Sequence, residues 1–216
     1  MKRFSLCVAI LFSVSLFTFA QTAPLGKDLI RQFSERMQSY SSIEADFSFT
    51  LENLQEGFTD SHKGSLRFMG KKYSLDLMGM NVYFDGTTKW QFIPEVNEVT
   101  ITKPTTLEGG FFDDPTKIFG DYGEEFNSKY IGEKIEKEGT LYEVELYPKD
   151  LSEPYSLIKV LFKKKSFEPV LIKYQGRDGL NYIIAVSKFS KDVKFKDSDF
   201  VFNPQEHNGI EVVDLR

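Results

Sequence analysis

Residues able to do acid, base, nucleophilic or metal chemistry are few in this chain and poorly grouped. Two histidines occur, His62 in Asp60-Ser61-His62 and His207 in Glu206-His207-Asn208, both in polar stretches that read as surface loops. A Ser-His-Asp relay needs three side chains converging on one reacting atom, which three near-consecutive residues cannot supply. No HExxH, GxSxG, P-loop or GxGxxG spacing is present. The carboxylate pairs Asp113–Asp114 and Glu124–Glu125 have the residue types of a glycosidase acid and base, but a helix cap and a solvated loop account for them more simply. Lys163-Lys164-Lys165 could meet anionic lipid headgroups; a charged hairpin turn is the plainer reading. These observations point away from an enzyme and imply neither a cofactor nor a metal.

What the chain does have in excess is aromatic surface. Its 216 residues include 21 Phe, 10 Tyr and one Trp, with 41 % apolar residues and 15 Gly plus 8 Pro, a globular composition that leans towards strands. The formal charge of −5 argues against nucleic acid as a partner, because such binders replace counterions with a basic stripe. At the N terminus, Lys2 and Arg3 precede an uncharged apolar run from Phe4 to Phe19, and Thr18-Phe19-Ala20 offers small residues at a cleavage site. Residues 1–20 therefore read as a secretory signal peptide cut before Gln21. Its loss takes away Lys2, Arg3 and the one cysteine, Cys7, leaving 196 residues with a charge of −7. A cysteine nucleophile and a thiolate zinc site are excluded from that product.

The elements that must position anything functional follow from periodicity. Leu29, Ile30, Phe33, Met37 and Tyr40, after Pro24 and Asp28, have the spacing of a helix with one buried face. Ile43, Ala45, Phe47, Phe49 and Leu51 then alternate with polar residues, as in a half-wet strand. Leu66 and Phe68, Tyr73 to Leu77, Val82 and Phe84, Trp90 and Phe92, and Val99 and Ile101 continue an antiparallel meander, with turns at Gly70–Lys72, Asp85-Gly86 and Pro94–Asn97. The pattern breaks at Leu107-Glu-Gly-Gly-Phe-Phe-Asp-Asp-Pro, where Asp114 can cap a short helix from Pro115 to Phe119. Strands resume at Tyr130–Ile135, Leu141–Tyr147, Ser156–Phe162, Val170–Tyr174 and Asn181–Phe189. Without a repeat or a linker, residues 21–216 form a single domain, mainly β with α. A barrel or strongly curved antiparallel sheet of about ten to eleven strands is expected, covered by an N-terminal helix and a short central helix.

Several motifs resemble those of the LolA family, periplasmic carriers of outer-membrane lipoproteins. They are Ser42-Ile-Glu-Ala-Asp-Phe-Ser-Phe-Thr, Lys63-Gly-Ser-Leu-Arg-Phe, Phe84-Asp-Gly-Thr-Thr-Lys-Trp-Gln-Phe, Phe200-Val-Phe-Asn-Pro and Gly209-Ile-Glu-Val-Val-Asp. The resemblance implies an unclosed β-barrel whose apolar interior takes lipoprotein acyl chains, in a monomer working in the periplasm. It implies partners too: outer-membrane lipoproteins as cargo, an inner-membrane lipoprotein-releasing ABC transporter as donor and an outer-membrane acceptor. Tyr73 and Leu75 match cavity positions. Shared parity within each strand extends the expected cavity to Phe47, Phe49, Leu66, Phe68, Leu77, Phe84, Trp90 and Phe92. Phe111, Phe112, Ile118 and Phe119 fall on a lid, with Gly109 and Gly110 as its hinge. Where the family carries an arginine latch for that lid this chain has Gly70, so Lys71 or Lys72 is the candidate substitute. Lysine brings a point charge in place of a planar fork. Two other classes stay open beside the carrier: a secreted protein binding another lipid or apolar ligand, and, less favoured, a hydrolase.

Overall fold

A computed structural model describes residues 26–104, 114–120, 122, 125–137 and 139–216. The expected signal peptide and the lid residues Gly109, Gly110, Phe111 and Phe112 lie outside the described residues. Helix α1 (Gly26–Gln38) buries Leu29, Ile30, Phe33 and Met37 on one face, with Arg31 bridging Asp28 and Glu35 on the other. It begins on a glycine because a Cβ at Gly26 would stand 2.7 Å from the Tyr130 backbone nitrogen. No described helix is long and apolar enough to cross a membrane.

Twelve strands then form one sheet. The first six are β1 (Ser42–Asn53), β2 (Phe58–Met69), β3 (Lys72–Leu77), β4 (Met80–Phe84), β5 (Lys89–Ile93) and β6 (Glu98–Thr102). After a 3-10 helix at Pro115–Phe119 come β7 (Phe126–Glu136), β8 (Gly139–Pro148), β9 (Tyr155–Lys163), β10 (Pro169–Gly176), β11 (Leu180–Lys191) and β12 (Glu211–Asp214). The spatial order is β12-β6-β5-β4-β3-β2-β1-β11-β10-β9-β8-β7, so β1 closes on β11 and joins two meanders. Among the described residues the outer edges β12 and β7 do not pair, and the barrel stays open.

Two expectations need correction. The sheet exceeds the expected count because β12 adds to β6 in parallel, a pairing no hairpin signal announces. His62 lies in strand β2, not in a surface loop: cross-strand pairing to β1 extends β2 back to Phe58 through polar sequence. By contrast, the expected short helix is present, with the Asp114 carboxylate accepting from the Thr116 amide at 3.1 Å.

Candidate functional site

Register assigns the faces of the sheet. Ala45 pairs with Leu66, Leu66 with Leu75, and Leu75 with Val82, while Tyr73 pairs with Phe84. Phe47, Phe49, Leu66, Phe68, Tyr73, Leu75, Leu77 and Phe84 therefore share the concave face, continued across β11, β10, β9 and β8 by Ile184, Ile172, Val160 and Val144. Gly64 sits on this face because the Phe47 ring covers it: a Cβ there would meet that ring at 2.6 Å.

The remaining two expected cavity residues do not join them. Phe84 pairs with Lys89 across the Asp85–Thr88 turn, and Tyr83 pairs with Trp90, which puts Trp90 and Phe92 on the convex face. Alternation within β5 is as expected, but its phase relative to β4 is set by the turn, in which Asp85 accepts from the Thr87 and Thr88 amides. Trp90 and Phe92 build a second core with Val99, Ile101 and Phe202. The chain after β11 covers it. Phe202 lies 4.8 Å from Phe92 and 5.8 Å from Tyr83 between ring centroids, and the His207 ring stacks 4.7 Å from Phe202. A convex-side groove of about 530 Å³ follows this segment, lined by Tyr83, Phe202, Glu206 and His207 among others. The two aromatics of Phe200-Val-Phe-Asn-Pro are thus buried structural anchors, with Phe200 fully enclosed beside Phe195.

The concave face is occupied by the protein's own chain. Phe33 of α1 packs 5.0 Å from Phe162, and Phe119 lies between Phe68 at 5.8 Å and Phe189 at 6.1 Å. Ile118, Phe119 and Tyr122 are almost wholly buried, and of the eight concave residues only Phe68 exceeds 5 % exposure. The segment is secured to α1 by Ser34, whose hydroxyl donates to the Gly120 carbonyl at 3.0 Å. The Tyr122 hydroxyl donates back to the Ile118 carbonyl at 2.7 Å, closing the segment on itself.

Polar groups near this face favour holding over reacting. Burial pushes the Tyr122 phenol well up, Tyr174 to about 12, and Tyr155 strongly upward, so all three stay neutral donors at ordinary pH. His62 and Asp60 face inward opposite Phe49 and Leu51 and join through Nε2 and Oδ2 at 2.8 Å. Ser61 points the other way and pairs with the Thr50 hydroxyl at 2.7 Å, so the neighbouring serine does not serve the histidine as a nucleophile. Among the described residues no three His, Cys, Asp or Glu side chains form a metal cluster.

Nor does the lysine latch form as expected. Lys72 takes the convex phase of β3 and pairs with Asp197 of the C-terminal cover at 2.6 Å, while Lys71 is exposed in the two-residue turn. The apolar packing of Phe119 and the Ser34 bond hold the 115–122 segment instead.

No family model matches the chain. An uncharacterized protein of Methanocaldococcus jannaschii is 25 % identical over 203 residues, covering 93 % of this chain, and the chain spans 58 % of that curated relative's length. Among solved structures, an uncharacterized conserved protein from Thermus thermophilus superimposes with a TM-score of 0.56 at 10 % identity, covering 87 % of this chain and 97 % of that one. A LolA superfamily protein from Nitrosomonas europaea gives 0.41 at 11 % identity, covering 83 % and 99 %. Of these two superpositions, the Thermus one is close enough to establish a shared fold. The architecture itself, an open curved antiparallel sheet holding one helix and a short central segment, matches the unclosed barrel expected from the resemblance.

Proposed function

We propose that this chain is a carrier that shields lipoprotein acyl chains between the concave sheet face and its two inner covers, α1 and residues 115–122. The observation that carries this reading is the apolar concave face itself, lined by Phe68, Tyr73, Leu75 and Phe189 and covered by rings from α1 and from the short central helix. Phe119 meets that face through ring contacts, and the Ser34 hydroxyl ties the Gly120 carbonyl to α1. Displacement of the 115–122 segment would uncover that face.

Transfer between two hydrocarbon phases sets the energetic demand. Moving one sixteen-carbon chain into water costs about 0.8 kcal/mol per CH₂, more than ten kcal/mol in all, so a free chain does not leave a bilayer unaided. A carrier need only approximate the hydrocarbon it takes the chain from, and a cover with two positions supplies uptake and release. In this reading the chain works in the periplasm after removal of residues 1–20. An inner-membrane lipoprotein-releasing ABC transporter loads it and an outer-membrane acceptor unloads it.

The test is uptake of a triacylated lipopeptide from detergent-free solution, with bound cargo identified by native mass spectrometry. Leu75→Asp should abolish uptake, and Val212→Asp, an exposed position on β12, should not. Binding of the lipopeptide by the Leu75→Asp protein, shown to be folded, would overturn the reading.

A further inference from the structure

Antiparallel order sends alternate turns to opposite ends of the sheet. One end carries the β1–β2, β5–β6, β8–β9 and β10–β11 turns, with Glu56, Glu95, Asp150, Glu153 and Asp178 against Lys149 and Arg177. The opposite end, followed across the six contiguous strands β3-β2-β1-β11-β10-β9, has the reverse sign. Lys71 in the β2–β3 turn, Lys165 in the β9–β10 turn, and Lys191, Lys194 and Lys196 where the chain leaves β11 are all exposed. None of the five makes an ion pair among the described residues, and Lys191 lies over the Tyr40 ring at 5.1 Å.

The acids beside these lysines are already engaged. Glu168 pairs with Lys163 at 3.0 Å and Asp197 with Lys72 at 2.6 Å. Asp192 accepts from the Ser41 amide at 2.9 Å and its hydroxyl at 3.0 Å, and Asp199 accepts from the Lys196 amide at 2.8 Å. A net positive rim remains, formed by long point charges from separate turns. Their ammonium groups lack the planar fork that grips a single phosphate bidentately. Such a rim matches a diffuse, laterally adaptable layer of negative charge.

We propose that this lysine rim docks the protein end-on against an anionic bilayer surface. The acidic turns at the far end are repelled by the same surface, so the approach is oriented before contact. This inference is independent of the carrier reading, since docking needs no cargo.

Co-sedimentation with cargo-free vesicles tests it, comparing phosphatidylcholine alone with an equal mixture of phosphatidylglycerol and phosphatidylcholine. Every protein is prepared in the same N-terminal context, so any contribution of residues 1–25 cancels between variants. The expected result is binding to the anionic vesicles only, lost between about 0.05 M and about 0.5 M salt. Each Lys→Gln substitution should weaken it by up to about fivefold. The quintuple variant at Lys71, Lys165, Lys191, Lys194 and Lys196 should not sediment. Should that variant fail to fold, Lys71→Glu with Lys165→Glu serves in its place. Equal binding to both vesicle types, or undiminished binding by the lysine variants, overturns the proposal and leaves the carrier reading untouched.

Discussion

Ser34→Ala separates stability from ligand affinity and so tests whether the 115–122 segment must move. The substitution removes the hydroxyl that donates to the Gly120 carbonyl at 3.0 Å and lies 3.5 Å from the Tyr122 amide. One such neutral bond contributes about 1 kcal/mol net, and the half-exposed Gly120 can recruit water, which keeps the cost near that value. The gain in helix propensity from Ala, up to about 0.5 kcal/mol, acts on α1 in both positions of the segment and cancels from the opening equilibrium. A loss of about 1 kcal/mol from the closed state raises a small open fraction about fivefold. If the ligand enters only the open state, its apparent Kd falls by the same factor. Titration with a fluorescent fatty-acid probe, alongside urea unfolding, measures both quantities. The matched control is Ser42→Ala, which removes a 2.6 Å bond to the Val193 carbonyl, away from the segment. It should lower stability without tightening binding. Unchanged or weaker probe affinity in Ser34→Ala would refute the coupling between segment displacement and uptake.

Further expectations concern the sheet. Phe202→Ala should cost about 3 kcal/mol in urea unfolding by emptying the convex core, yet leave probe affinity unchanged, because Phe202 touches Phe92 and Tyr83 rather than the concave face. Gly64→Val should destabilise by about 2 kcal/mol or more in the same assay, since its Cβ would collide with the Phe47 ring. Glu143, 4 % exposed, is opposed in its ionisation by burial, but Lys134 at 2.8 Å and Lys159 at 2.5 Å outweigh this and hold its carboxyl below the ordinary 4.5. Because the folded value is the lower one, the stabilisation is complete above the unfolded carboxyl's range. It is lost as pH falls through the folded value. Glu143→Gln should therefore cost about 1–2 kcal/mol at pH 7, with the difference from wild type shrinking below about pH 4 in acid-unfolding curves.

Local sequence determined a good deal. The 3.6-residue recurrence of Leu29, Ile30, Phe33 and Met37 makes α1, the alternation from Ile43 to Leu51 makes β1, and Asp114 followed by Pro115 starts the short helix. Each signal lies within one element and is read by neighbours a few residues away. The concave placement of Leu66, Tyr73 and Leu75 was legible for the same reason, since two-residue turns carry parity faithfully from β2 to β4.

What tertiary structure alone decided is everything that depends on residues distant in the chain. Trp90 and Phe92 alternate as a cavity strand would, but the phase across the Asp85–Thr88 turn and the arrival of Phe202 from over a hundred residues away turn them to the other face. His62 belongs to a strand only because β1 pairs with it, and Lys72 meets Asp197 instead of the 115–119 helix because the chain returns over the convex side after β11. The parallel β6–β12 pair and the closure of β1 on β11 are likewise long-range. Periodicity records which side of an element is apolar, whereas the partner that covers that side is fixed by the free energy of burying both surfaces together.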